Sequence, residues 1–279
     1  MSREAVLYVV ATPIGNLGDM VPRAIEVLQT VDLIAAEDTR HSKRLMQHFS
    51  IVTPMVAYHD HSTDSALDSL LGKMQAGQSL ALISDAGTPL VSDPGYRLVD
   101  AALTAGFRVV PIPGASAAIT ALSVAGLPSD RFVFEGFLVA KQQGRLKHLQ
   151  ALAEETRTLI FYEAPHRLLA CLEDMRDVMG GDRTVVLARE LTKTFETVRR
   201  ASLSELVAWV AADSNQQRGE CVILVAGYRG DDGLDTEARR VFELLHAELP
   251  LKQAAALAAR ITGVKKNLLY QYGLERKGS

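Results

Sequence analysis

Short apolar runs alternate with stretches of helical spacing through the first part of the chain. Residues 5 to 11, Ala-Val-Leu-Tyr-Val-Val-Ala, form the continuous apolar run expected of a buried parallel strand. Thr12-Pro13-Ile14-Gly15-Asn16 stops it, and Val21, Ile25 and Leu28 then recur at a helical period. Asp32 to Ala36 reads as a second strand, and Glu37-Asp38-Thr39-Arg40 leads into a helix through His48, capped by Asp38 or Thr39. Met55 to Tyr58 is a short strand, His59-Asp60-His61 a polar loop, and Ser65 to Met74 a helix ended by Gly77. Ser79 to Ile83 is a strand, and a helix from Tyr96 to Ala105, closed by Gly106, precedes the strand Arg108 to Ile112. This alternation predicts a mainly parallel sheet with helices on both faces.

The second part is patterned differently. Ala117 to Val124 reads as a small-residue helix that joins two domains, and Gly126-Leu127-Pro128-Ser129-Asp130 punctuates the boundary. Strand-like runs at 132–137, 158–162, 184–188, 195–200 and 221–226 alternate with helical stretches at 145–153, 166–178 and 202–212. The close spacing of the third and fourth runs predicts an antiparallel pair and a mixed sheet. Asp231-Asp232-Gly233 reads as a linker to a helical tail, where Leu251 to Ile261 and Lys265 to Tyr272 form a helix-turn-helix-like pair broken at Gly263. The expected organisation is therefore two α/β domains, 1–117 and 118–229, plus a helical module at 236–279.

Composition fits this plan: 279 residues, 48% hydrophobic and 23% charged, can bury a large core. The beginning of the chain lacks a signal-peptide layout and no stretch reaches the ~18 apolar residues of a membrane span, so the expected location is cytoplasmic, with no membrane partner. Cys171 and Cys221 form neither a disulfide framework nor a metal cluster, and His59-Asp60-His61 lacks a distant third ligand, so no metal is expected. The net charge of -3 excludes a uniformly basic coat. Its distribution is uneven, because Arg239 to Ser279 carries eight basic against three acidic residues, a net +5. Such a module suits phosphate contact, the alternative being a solvated helical face.

The stretch Ser84 to Gly95, Ser-Asp-Ala-Gly-Thr-Pro-Leu-Val-Ser-Asp-Pro-Gly, follows a strand and precedes a helix. Open α/β sheets bind ligands at such carboxyl strand ends. Its two Asp, two Gly, two Pro and three hydroxyls leave backbone groups outside regular ladders with little freedom, which suits holding a small polar molecule. Neither Gly-x-Gly-x-x-Gly after the first strand nor Gly-x-x-x-x-Gly-Lys-Ser/Thr occurs, so dinucleotide and P-loop fingerprints are missing. Three separate strand-end loops must supply the site. The residues by themselves reach a two-domain ligand binder.

Thr12-Pro13-Ile14-Gly15-Asn16-Leu17, Glu37-Asp38-Thr39-Arg40, Ser84 through Gly95, Phe161-Tyr162-Glu163 and Ala188-Arg189-Glu190-Leu191 together resemble one family over nearly the whole chain. That family is the ribosomal RNA small subunit methyltransferase I family, within the tetrapyrrole-methylase-like superfamily. The resemblance implies S-adenosylmethionine as methyl donor, bound in the cleft between the two domains, and the ribose 2′-hydroxyl of a cytidine in small-subunit (16S) ribosomal RNA as acceptor. It implies a homodimer, with the RNA or the assembled small subunit as partner. Pro13, Ser84, Asp85, Ala86, Val91, Ser116 and Ala117 match the cofactor cradle, closed by Tyr162, Glu163 and Leu191. Asp85 is the leading cofactor residue, and an Asx turn holding the loop is compatible with that role.

For a general base or for acceptor positioning the candidates are Glu37, Glu163 and Glu190, with Asp38, His59, Asp60, Asp93 and His166 behind them. Arg40, Lys43, Arg44, Arg167, Arg189, Lys193, Lys252, Lys265 and Lys266 are the expected RNA contacts, and Lys141, Arg145 and Lys147 could extend their path. Two positions depart from the family pattern: Ala115 stands where Pro is usual, and Val21 where Thr is usual. The first loosens the loop before Ser116 and the second removes a possible capping hydroxyl. Two alternatives stay open: a methyltransferase for a small molecule such as a tetrapyrrole, and a non-catalytic nucleotide-binding module.

Overall fold

The computed structural model describes residues 5–59, 62–230, 234 and 236–275. Asp60, the expected linker 231–233 and the tail residues Arg276 and Lys277 lie outside the described residues. The chain divides into two compact units. The first runs through Val124 and takes in Ala188–Val198; the second holds Ala125–Leu187 and the chain from Arg199 onward.

The first unit alternates β1 (Val6–Val10), α1 (Pro22–Thr30), β2 (Leu33–Ala36), α2 (Thr39–His48), β3 (Met55–Ala57), α3 (Asp64–Gln75), β4 (Leu80–Ile83), α4 (Tyr96–Thr104) and β5 (Arg108–Ile112), followed by α5 (Ala117–Ala125). Its strands lie in the order β3-β2-β4-β1-β5 and every neighbouring pair is parallel, with Tyr8 beside Ala81 and Val110. Alternate strand residues feed two cores. Val10, Ile34, Ala81, Ile83 and Ile112 pack with Leu28 of α1 and Met46 of α2. Leu7, Leu33, Ala35, Leu80 and Leu82 pack with Met74 of α3 and Leu98 of α4. Both faces are covered, which is why these strands read as unbroken apolar runs. The chain leaves β1 toward β2 on one side and leaves β4 toward β5 on the other, although β1 and β4 are neighbours. Their carboxyl ends therefore form a topological switch point, where open α/β sheets bind ligands.

The second unit carries β6 (Phe132–Phe137), α6 (Gln142–Leu152), β7 (Thr158–Glu163), α7 (Leu168–Met179), β8 (Thr184–Arg189), β9 (Thr197–Ser202), α8 (Leu203–Ala212) and β10 (Cys221–Val225). The order is β6-β7-β10-β8-β9; β6 runs parallel to β7 and β10 antiparallel to it, so the sheet is mixed. Leu159, Phe161, Leu172, Met175, Leu187, Leu206 and Ile223 are among its buried core. The strand expected at 195–200 starts two residues later. Phe195 is 73% exposed, and its carbonyl accepts from Arg189 in the turn that precedes β9. The helix expected from 145 begins at Gln142, and the one expected at 166–178 is a single 3-10 turn, Pro165–Arg167, leading into α7.

The tail folds as α9 (Thr236–Glu248), α10 (Leu251–Thr262) and α11 (Lys266–Glu275) around Phe242, Ala254, Ala255, Ala258 and Leu269. Gly263 ends α10 in the left-handed conformation, φ +75°, with its N–H donating to Ala259 O at 3.0 Å. Among the described residues no helix is long and apolar enough to cross a membrane.

Candidate functional site

The loops at the carboxyl ends of β1, β4 and β5 are stitched to one another. Thr12 and Gly87 exchange backbone hydrogen bonds, Thr12 N–H to Gly87 O at 2.8 Å and Gly87 N–H to Thr12 O at 3.0 Å. The Thr12 hydroxyl donates to Ser84 O at 3.3 Å, and the Thr88 hydroxyl donates to Ala115 O at 3.0 Å. Pro13, Ser84, Asp85, Ala86 and Ser116 thus sit on loops held together by Thr12 and Thr88, two residues the sequence reading did not single out. Their signal was a hydroxyl beside Pro in each loop. The Thr88 bond also holds the loop that Ala115 was expected to loosen. Val21, the other departure, occupies the N-cap of α1 and makes no side-chain cap bond.

A reciprocal clasp joins the ends of β2 and β4. Asp85 N–H donates to Glu37 Oε2 at 3.2 Å, and Asp38 N–H donates to Asp85 Oδ1 at 3.2 Å. Asp38 also caps α2, accepting from Arg40 N–H at 2.7 Å; this bond holds its carboxyl below the usual carboxylate range. Three carboxylates, those of Glu37, Asp38 and Asp85, therefore converge at adjacent strand ends. The arrangement makes a local negative region lined with main-chain groups, suited to a cationic ligand.

The segment Ala188–Val198 clusters with these loops. Lys193 Nζ pairs with Glu190 Oε1 at 2.9 Å, and the aliphatic stem of Lys193 covers Gly15, where an added Cβ would lie 2.6 Å from Lys193 Cγ. Leu191 between them is buried. Arg189 is 8% exposed and donates to Phe195 O at 3.3 Å and to the Thr197 hydroxyl at 3.2 Å. It shapes this turn from within, its guanidinium engaged by acceptors of the chain itself rather than held out toward solvent.

Leu90 (φ 73°) and Ser92 (φ 64°) flank Val91 in the long loop; with Glu190 and Thr192 they place four strained non-glycine residues in the loops of this site. Each such residue costs about 1–3 kcal/mol, and strain of this kind gathers at ligand clamps.

The remaining expected residues lie in the second unit. Tyr162 packs edge-on against Phe134 and Phe137, with centroids at 5.0 and 5.5 Å. The Glu163 side chain is fully buried, 3.1 Å from Arg167 Nε, and accepts Ala164 N–H at 2.8 Å. Arg167 donates to Leu138 O at 2.5 Å, so this pair braces the end of β7. Burial, reinforced by the Glu163 carboxylate, pushes the Cys171 thiol upward, which leaves it unreactive. Among the RNA candidates, Arg40, Lys43 and Arg44 are exposed on α2 while Ser42 and Met46 turn inward, and Lys252, Lys265 and Lys266 are exposed on the tail. Of the remaining base candidates, Asp93 lies in the long loop and His59 and His166 are exposed.

Residues 6–207 match the family model for Tetrapyrrole (Corrin/Porphyrin) Methylases, and residues 232–277 match that of the RsmI C-terminal HTH domain. The chain is 64% identical over 275 residues to the ribosomal RNA small subunit methyltransferase I of Pseudomonas aeruginosa, covering 98% of each protein. It is 59% identical over 276 residues to that of Escherichia coli O157:H7, covering 99% of this chain and 96% of that one. Among solved structures, a diphthine synthase superposes with a TM-score of 0.61 at 15% identity, covering 80% of this chain and 90% of that one. A uroporphyrin-III C-methyltransferase from Thermus thermophilus complexed with S-adenyl homocysteine gives 0.55 at 18% identity, covering 80% and 97%. At such identities these structures speak for the fold.

Proposed function

The chain belongs to the ribosomal RNA small subunit methyltransferase I family, and from that premise we propose that it methylates the ribose 2′-oxygen of a cytidine in small-subunit ribosomal RNA, with S-adenosylmethionine as donor. The observation that carries this reading is the near-full-length identity to relatives of that name, which extends through the basic tail.

The first unit's loops fit the cofactor by their donor and acceptor chemistry. When bound, S-adenosylmethionine supplies a methyl group on a positively charged sulfur, together with ammonium, carboxylate, ribose and adenine groups. The converging carboxylates of Glu37, Asp38 and Asp85 suit its positive groups, and Ser84, Ala86 and Val91 offer main-chain partners on a constrained loop. Pro13, Ser116 and Ala117 complete the set on the ends of β1 and β5.

Holding the reacting groups in line supplies much of the rate, because a fixed geometry replaces a bimolecular encounter. The ribose hydroxyl must lose its proton, and of the leading base candidates Glu37 and Glu190 are the two that belong to the first unit. Lys193 fixes the Glu190 carboxylate, which gives the pair a role in orienting the acceptor. Glu163, fully buried on Arg167, braces β7 instead. Arg40, Lys43 and Arg44, with Lys252, Lys265 and Lys266, provide phosphate contacts.

Transfer of labelled methyl from S-adenosylmethionine to purified small ribosomal subunits, followed by nuclease digestion, tests the proposal. Label is expected in 2′-O-methylcytidine. Label in a methylated base or in a small molecule, or no transfer despite cofactor binding, overturns it.

A further inference from the structure

Five arginines scattered along the chain, Arg131, Arg157, Arg183, Arg200 and Arg229, line one cavity of about 640 Å³ in the second unit. The cavity lies where β6, β7 and β8 begin and β10 ends; Ala226 N–H donates to Thr184 O at 2.9 Å and Leu203 N–H to Arg183 O at 3.0 Å. Tyr162 and Glu163 stand at the other end of β7, roughly 17 Å along the strand at its usual rise. The cavity is thus separate from the residues assigned above to cofactor and acceptor.

Two of the arginines are fixed by the protein. Arg183 donates to Ala226 O at 3.0 Å and Ala153 O at 2.5 Å and stacks on the Tyr228 ring at 5.0 Å. Arg157 holds Glu155 through paired bonds of 2.8 and 2.7 Å. Arg200 donates to Gly126 O at 3.1 Å, a carbonyl that leaves its charge uncompensated. Arg131 and Arg229 are exposed and make no hydrogen bond or ion pair among the described residues. Among the described residues, the arginines of the lining outnumber its carboxylates, Asp130 and Asp182, even with Glu155 paired to Arg157. Like charges gathered around a cavity repel one another unless an anion shares it, and the guanidinium fork matches phosphate oxygens two at a time.

The cavity is also continuous with the tail. Arg239 of α9 lies against Gly230 on the cavity rim, so closely that a Cβ there would sit 2.0 Å from Arg239 Nη2. On that rim the positive surface meets the helical module that carries Lys252, Lys265 and Lys266.

We propose that this cavity is a second anion site that takes a backbone phosphodiester of the ribosomal RNA, away from the nucleotide being methylated. The assignment rests on the reading of the chain as an rRNA methyltransferase. Phosphate contacts position a protein without reading sequence, so the site sets the register of the RNA.

The test uses the full-length chain carrying R131A/R229A, binding to purified small subunits over a series of salt concentrations. Both residues are exposed and make no hydrogen bond or ion pair among the described residues, so thermal stability and S-adenosylmethionine affinity stay at the wild-type level. Binding to subunits weakens on the order of tenfold, and the slope of log K against log salt becomes shallower by about 1 per arginine. R131K/R229K recovers most of the slope. Unchanged affinity and slope in R131A/R229A, with wild-type protein still methylating subunits, overturns the cavity assignment alone. Failure of the wild-type protein to methylate subunits removes the functional reading beneath it. Loss of free-nucleotide binding in R131A/R229A with subunit binding intact also overturns the proposal.

Discussion

The two sheets place their polar liabilities in different currencies. In the first unit the parallel strands bring all their carboxyl ends to one edge, and the unfavourable features there are conformational. All five non-glycine residues with positive φ among the described residues, Ser50, Leu90, Ser92, Glu190 and Thr192, fall in this unit, four of them in the loops of the candidate site. In the second unit the liabilities are buried charges. Arg145 and Asp174 are each 4% exposed and pair at 2.6 Å, and Glu163 lies beneath Arg167. Strained backbone can be relieved by a ligand that the loops close on, whereas a buried ion pair has only its partner. The contrast accords with the proposed reading, in which the first unit's loops hold the cofactor while the second unit is braced by buried ion pairs.

The largest test of this contrast falls on the second unit. Asp174→Ala strands Arg145 in the core and lowers stability by about 3–5 kcal/mol, whereas R145M/D174L together return close to wild type. Urea unfolding followed by fluorescence of Trp209, the single tryptophan, which packs on this core, reads the change. A smaller effect is expected at Gly95, where φ is +125° and an added Cβ would lie 2.6 Å from Leu82 Cδ2. Gly95→Ala combines backbone strain with overpacking and costs about 2–4 kcal/mol, seen as faster hydrogen exchange of the β4 amides.

The smallest effect is a pH dependence at the edge of the arginine cavity. Hydrogen bonds from Arg157 hold the Glu155 carboxyl down at about 2, from an ordinary 4.5. A depressed carboxylate stabilises the fold above its unfolded value and loses that contribution as pH falls toward the folded one. Thermal melting of wild type and Glu155→Gln should therefore differ near neutral pH and converge between about pH 4.5 and about pH 2. Parallel melting curves across that window would place Arg157 outside the pair.

Much of the fold could be read from the chain because both sheet types leave a pattern. Doubly covered parallel strands show as unbroken apolar runs, and Gly77, Gly106 and Gly263 mark helix ends that the structure keeps. The run at 195–200 misled because Phe195 has strand character, while the turn that displaces it is set by Arg189 reaching Phe195 O and Thr197. The long loop announced itself by Pro, Gly and Asp in close succession. What could not be read was which carboxylate meets which amide, since Glu37 and Asp85 stand 48 positions apart and meet only because β2 and β4 are neighbours. Glu163 and Arg189 looked like available charges because burial is a property of the sheet and not of the local sequence. The cavity arginines could not be read together because they are scattered from Arg131 to Arg229 and meet only through the order of the strands they flank or belong to.

On the proposed reading the loops at the carboxyl ends of β1, β4 and β5 hold the cofactor and the Asp85 clasp organises them. Calorimetric titration of S-adenosylmethionine into wild-type and Asp85→Ala protein tests it most directly, with folding of the variant checked by Trp209 fluorescence. Saturable binding to the wild type is expected, with a loss of roughly 100-fold or more in the variant, since a charge-assisted contact and the Asp38 amide bond disappear together. Equal affinity of the two folded proteins would contradict it.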